Sequence, residues 1–150
     1  MTTKELFEEV YTLFKMHFYR EVFRNFEERE ATLTTVETFC MEVIYALNRP
    51  TVNEFARFLH MSSPNAAYKI NNLVKKGYLE RIQSEEDKRE FYLQVTDKYM
   101  NYYNVSTSYV DDVMARIEER MTKTEWKNFY HTLEVMLMEM KNDLDKEING

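Results

Sequence analysis

Ser63-Pro64-Asn65-Ala66-Ala67-Tyr68-Lys69-Ile70-Asn71-Asn72-Leu73-Val74-Lys75-Lys76-Gly77 is the stretch on which the fold turns. Its pattern predicts a helix capped by Ser63, with Pro64 at the first helical position, where a missing amide costs nothing, and stopped by Gly77. Wound at about 3.6 residues per turn, Ala66, Ala67, Ile70, Leu73 and Val74 fall on one side. Pro64, Asn65, Tyr68, Asn72 and Lys75 fall on the other. That outward face carries amides, a phenol and an ammonium group but no carboxylate. Such groups donate and accept at base edges and phosphates. The bland alternative is an ordinary solvated face, which would normally include Glu or Asp.

Immediately upstream, Val52, Phe55, Ala56 and Leu59 recur at helical steps and are followed by the short turn His60-Met61-Ser62. Two short helices joined by a tight turn describe a helix-turn-helix. Downstream, residues 78–82 and 90–95 alternate in the manner of strands, separated by the polar run Gln83-Ser84-Glu85-Glu86-Asp87-Lys88-Arg89. This predicts a β-hairpin with a charged tip.

Further out the pattern is helical again. Residues 35–47 place Val36, Phe39, Cys40, Val43, Ile44 and Leu47 on one stripe and should stop near Asn48-Arg49-Pro50, because proline disfavours helix in the residue before it. Residues 3–28 repeat Leu6, Val10, Leu13, Phe14, Phe18 and Val22. Beyond Asp97, Tyr99, Tyr103, Ser106, Val110, Val113 and Ile117 step like a coiled-coil seam, and so do Trp126, Tyr130, Leu133, Leu137, Met140 and Leu144. Four Thr-x-x-Glu capping boxes, at Thr2, Thr34, Thr51 and Thr122, mark helix starts. The expected fold is mainly α with a small β-hairpin wing. A single domain, 1–150, comprises a winged helix-turn-helix at about 33–96, flanked by dimerisation helices at about 1–30 and 97–150.

Composition narrows the function. With 2 Gly and 2 Pro the chain lacks the turn residues of an all-β fold, and with Gly77 and Gly150 alone no phosphate loop, dinucleotide fingerprint or nucleophile elbow can form. No enzyme is expected. The start has no basic segment followed by an apolar run, and no stretch is long enough to span a membrane, so a cytoplasmic protein is expected. The net charge of −6 argues against a nucleic-acid partner until its distribution is seen: residues 62–81 carry +3, leaving −9 on the rest.

From Leu33 to Thr96 the sequence resembles the multiple-antibiotic-resistance regulators, the MarR family. The resemblance rests on Leu33-Thr34 with Glu37, Asn53-Glu54-Phe55-Ala56 with Leu59, and Met61-Ser62. More specific are Leu73-Val74-Lys75-Lys76-Gly77-Tyr78-Leu79-Glu80-Arg81 and Asp87-Lys88-Arg89 leading to Val95-Thr96. It implies a homodimer on a palindromic double-stranded DNA operator, with recognition helices in major grooves and wings in minor grooves, usually acting as a ligand-responsive repressor. On that basis Ser63, Asn65, Tyr68, Lys69, Asn72, Lys75, Lys76, Arg81, Asp87, Lys88 and Arg89 are the candidate DNA-binding residues. Arg89 matches the wing arginine and Asp87 the acid that orients it; a guanidinium also suits the potential of a narrow minor groove. Glu85 and Glu86 should point away. Tyr68 stands where many relatives carry arginine. That departure and the acidic total favour an alternative, a winged-helix protein-interaction module without DNA binding.

His17, His60 and His131 are scattered without ligand spacing, so no metal and no cofactor are expected; His60 reads as a surface or phosphate-facing residue. Cys40 lies on an apolar stripe and reads as core rather than as a redox sensor. Met136, Met138, Met140 and the aromatics of the first and fifth helices read residue by residue as dimer core. The resemblance nonetheless implies a small apolar or aromatic effector held between the dimer helices and the winged unit, with no ligand residues assigned.

Overall fold

The computed structural model describes residues 1–28 and 33–150; the last two residues of the expected first dimerisation segment, 29–30, lie outside them. The elements are α1 (Thr3–Glu28), α2 (Thr35–Leu47), α3 (Val52–Phe58), α4 (Ser63–Lys75), β1 (Leu79–Gln83), β2 (Phe91–Val95), α5 (Asp97–Arg120) and α6 (Lys123–Asn149).

Helix starts follow the capping chemistry. Thr34 with Glu37, Thr51 with Glu54 and Thr122 with Glu125 form reciprocal boxes, and Thr2 and Glu5 exchange the same two bonds. Each box satisfies amides that the first turn leaves without partners. Helix α4 departs from expectation by one residue. Ser62, with extended backbone, is the cap and accepts from the Asn65 amide, so Ser63 opens the helix and Pro64 follows. Proline is tolerated there because all amides of the first turn lack helical acceptors. Helix α2 ends on two consecutive left-handed residues, Asn48 at φ 53° and Arg49 at φ 61°. Asparagine enters this region readily; for arginine the left-handed conformation carries a steric cost.

The hairpin is antiparallel, pairing Leu79 with Val95 and Gln83 with Phe91, one residue later at β1 than the alternation suggested. Thr51 bridges to Tyr92, and the Leu93 amide donates to the Pro50 carbonyl, fastening the wing to the α2–α3 turn.

One core unites Leu33, Cys40, Met41, Ile44, Phe55, Ala56, Ala66, Ile70, Leu73, Tyr78, Leu79, Leu93 and Tyr99. Each large side chain fully withdrawn from water contributes about 1.5–3 kcal/mol before entropy is counted. Two expectations are corrected here. The α2 stripe is rotated: Thr38, Cys40, Met41 and Ile44 are buried, whereas Val36 and Phe39 are 53% and 41% exposed. Phe39 instead turns toward α1, its ring 6.4 Å from that of Phe18. Tyr99 does not belong to a dimer seam; it is fully buried in the winged core, with its hydroxyl 2.9 Å from Glu42 Oε1. The side chain of Ser106, from the same seam, lies outside the described residues.

Outside residues 33–99 the helices are thinly covered. Helix α1 leans on α5 through a His17–Tyr109 stack at 3.7 Å, and α6 returns to pack on α3. Leu6, Val10 and Leu13 of α1 and Tyr130, Leu133, Leu137 and Met140 of α6 remain exposed. Among the described residues no helix is long and apolar enough to cross a membrane.

Candidate nucleic-acid interface

Helix α4 presents the face its sequence dictates. Ala66, Ile70 and Leu73 are buried beneath it, while Ser63, Asn65 and Lys75 are exposed and Tyr68 is 66% exposed. Lys69 and Asn72 are half-buried. The capped N-terminus and the dry inner face hold the outward amides and phenol on a rigid rod, as a group that must meet base edges requires.

The two lysines at the end of α4 differ. Lys75 is exposed, whereas Lys76 Nζ sits 2.6 Å from Glu37 Oε2, the oxygen that also accepts from the Thr34 amide. The Lys76 ammonium is thereby tied to the start of α2. Arg81, expected on the same surface, is exposed on β1, and its guanidinium donates to Asn71 Oδ1 of α4.

At the wing tip Asp87 grips Arg89 through three bonds. Its Oδ1 accepts from the Arg89 amide at 3.0 Å and from Nε at 3.1 Å, and its Oδ2 accepts from a terminal guanidinium nitrogen at 3.1 Å. The guanidinium holds the Asp87 carboxyl below the usual carboxylate range, and the carboxylate in turn raises the arginine. Arg89 is 90% exposed, so its charge stays in water and only its direction is fixed. Glu85, Glu86 and Lys88 are exposed on the same tip.

Sequence reasoning missed the groups that build this surface. Buried Ser84 accepts from the Asp87 amide with Oγ and donates its own amide to the Glu90 carbonyl, and Gln83 Nε2 donates to the Lys88 carbonyl. Only a polar run that reads as a turn signalled them. Lys98 Nζ donates to the Lys76 carbonyl at 2.7 Å; as the two are 22 positions apart, no local pattern could reveal it.

A second feature lies between α1, α2 and α5. A crevice of about 690 Å³ is lined by Tyr11, Phe14, Phe18 and Tyr19 of α1, Phe39 of α2 and Val110 of α5, with Lys15 as its cation. Cys40 is buried nearby in sequence, and burial pushes its thiol up, away from the reactive thiolate. His60 is exposed. Among the described residues no group of His, Cys, Asp and Glu could hold a metal ion.

Comparison with known proteins agrees with this fold. Residues 33–91 match the model of the MarR family. The uncharacterized HTH-type transcriptional regulator YkoM of Bacillus subtilis (strain 168) is 29% identical over 76 residues, 51% of this chain and 49% of that protein. The chain thus spans about half the length of that curated relative. Among solved structures, a MepR mutant from a multidrug-resistant S. aureus clinical isolate is similar at TM-score 0.69 and 18% identity, over 93% of this chain and 98% of that one. Streptococcus pneumoniae FabT in complex with DNA is similar at TM-score 0.62 and 20% identity, over 94% and 99%. A Thermotoga maritima transcriptional regulator is similar at TM-score 0.62 and 18% identity, over 95% and 96%. At these identities the structures speak to the fold, and the sequence match speaks to residues 33–91. Residues 33–91 thus match the MarR family, and the chain as a whole shares the fold of these solved structures.

Proposed function

We propose that the chain is a sequence-specific DNA-binding transcriptional regulator that acts as a homodimer on a palindromic operator. The observation that carries this reading is the Asp87–Arg89 fork, a pre-aimed and largely exposed guanidinium at the tip of the wing. A cation already oriented loses little entropy on entering a narrow, negative minor groove. Asn65 and Tyr68 would read bases from the first turns of α4, Ser63, Lys69 and Asn72 would flank them, and Lys75, Arg81 and Lys88 would supply charge to phosphates, while Lys76, paired with Glu37, would brace the end of α4. Asp87 would act through Arg89. FabT and MepR each have a structure with DNA, and the same docking suits this fold.

The dimer reading rests on the uncovered apolar residues of α1 and α6, which a second copy would bury through a self-complementary seam. The whole chain would then be one domain, with 33–96 for DNA and the flanking helices for the dimer. A cytoplasmic location follows from that role. The crevice between α1, α2 and α5 suits a small apolar or aromatic effector, and a MepR structure contains ethidium bromide. Ligand response and repression are inferred on that ground.

The acidic total of −6 and the tyrosine at position 68 favour a second reading, a winged protein-interaction module that does not bind DNA. A mobility-shift titration at low salt separates the two. The duplex upstream of the protein's own coding region is compared with a random duplex of equal length. A dimer-sized complex formed at much lower protein concentration on the first supports the regulator; equal or absent binding supports the module.

A further inference from the structure

Helix α6 has an unusual support. It contains 27 residues, about 40 Å of helix, and none is buried. Among the described residues its contact with α5, from which it departs through the turn at Met121-Thr122, is at most slight, whereas its packing on α3 is substantial. Its far end instead returns to the first helix of the helix-turn-helix. Arg57, in the last turn of α3, donates to the Ile148 carbonyl at 3.2 Å, and His60 Nε2 lies 3.5 Å from Glu147 Oε2. A guanidinium at a helix C-terminus meets unpaired carbonyls and the negative end of the helix dipole, so the contact is favourable in both respects. Helices α5 and α6 and the winged unit therefore form a closed triangle.

We propose that Arg57, seconded by His60, is a specificity-determining residue: by pinning α6 to α3 it sets the separation of the two DNA-reading units and hence the half-site spacing the protein accepts. This rests on the dimeric DNA-binding reading. The uncovered seam that would hold a second copy includes α6, so the partner's position relative to this helix-turn-helix is only as well defined as the α3–α6 joint. Opened at Arg57, the triangle becomes a lever hinged at Met121-Thr122. A rotation of about 5° over about 40 Å moves its end by about 3.5 Å, the rise of one base pair. Weak bonds at this joint are thus amplified to the scale on which spacing is read, although neither residue needs to touch a base.

Two measurements on the full-length protein test this. A duplex is first selected from a randomised library by the parent protein. Parent, Arg57→Ala and the Arg57→Ala/His60→Ala double variant are then titrated on that duplex and on derivatives with one base pair inserted or removed between half-sites. The parent should lose about tenfold or more for each change, the variants about threefold or less, and Arg57→Lys should regain most of the discrimination. Separately and without DNA, spin labels at Asn53→Cys on α3 and Asn142→Cys on α6 report their distance, with excess unlabelled protein so that each dimer carries one labelled copy. The distribution should be narrow in the parent and about twofold broader when both contacts are removed. Variants that discriminate spacing like the parent, or an unchanged distance distribution, overturn the proposal. If the parent selects no duplex, the DNA-binding reading fails, and the distance measurement still decides whether Arg57 holds the joint.

Discussion

Lys98 on the first turn of α5 reaches the end of α4: its ammonium donates to the Lys76 carbonyl at 2.7 Å and lies 4.5 Å from the centre of the Tyr78 ring. The carbonyls of Asn72, Leu73 and Val74 accept from the amides of Lys76, Tyr78 and Gly77, and the Lys76 carbonyl just beyond them is met by this ammonium, which the helix dipole also favours. Thr96 adds a bond from its hydroxyl to the Gly77 carbonyl, at the residue whose φ of 83° turns the chain into the wing. Helix α4 is therefore fastened at its tail to the start of α5.

Replacing this ammonium by an apolar group of similar length tests the cap. Lys98→Met keeps a stem over Tyr78 and removes the donor, and should cost about 1 kcal/mol, or a fall of about 3 °C in Tm for a chain of this size. Thermal unfolding followed by circular dichroism measures it. A Tm equal to the parent's would mean that water caps α4 equally well.

Glu42 should give stability a particular pH dependence. Burial raises its pKa above the ordinary 4.5, partly offset by the hydrogen bond from Tyr99. Because the folded protein holds this proton more tightly, the contribution is complete below the unfolded pKa and is lost as pH rises through the folded value. Glu42→Gln keeps an acceptor for the Tyr99 hydroxyl without the charge. The stability difference, variant minus parent, should therefore grow as pH rises above about 4.5 and level off once the raised folded value is passed. Denaturant midpoints across that range check it; a difference independent of pH would show that the carboxyl is hydrated.

Much of the fold was legible because it is written locally. Capping boxes, Pro64 and Gly77 are contiguous signals, and the buried positions Ala66, Ile70 and Leu73 follow from one helical period. The α2 stripe was misjudged because Val36 and Phe39 are as apolar as Ile44, and periodicity alone cannot say which of two neighbouring faces meets the core. Tyr99 fitted the arithmetic of the α5 seam equally well; its partner Glu42 is 57 residues away. The candidate surface was legible where one helix or one turn presents it. Lys76, Arg81 and Lys98 act through partners on other elements, which only the tertiary fold reveals.

The wing fork separates charge from orientation. Arg89→Ala removes both and should weaken operator binding by about five- to a hundredfold, mostly at A·T-rich positions under the wing. Asp87→Ala leaves the charge but frees the guanidinium, so its loss should be smaller and should carry little change in salt dependence. Titrations at matched salt decide the matter; binding by Arg89→Ala as tight as the parent's would exclude the wing from the interface.

Helix α4 should divide its labour between its two ends, and the Glu37 contact changes which lysine carries the load. On the DNA-binding reading its N-terminal part would enter a groove, so Asn65→Ala should reduce the ratio of specific to random DNA binding. At the far end, Lys75 is exposed, whereas Lys76 is held 2.6 Å from Glu37. A phosphate gains little from an ammonium whose charge is already neutralised, while an exposed one releases its full share of counterions. Lys75→Ala should therefore weaken binding to operator and random duplex alike and flatten the salt slope by about one unit. Lys76→Ala should change that slope much less and instead lower stability by about 1 kcal/mol, because the pair is partly buried and braces the α2 cap. Binding of all three variants across a salt series, with a denaturation curve for each, separates the roles. A full unit of slope lost on Lys76→Ala, with stability unchanged, would show that DNA displaces Glu37 and that the pair is only a resting contact.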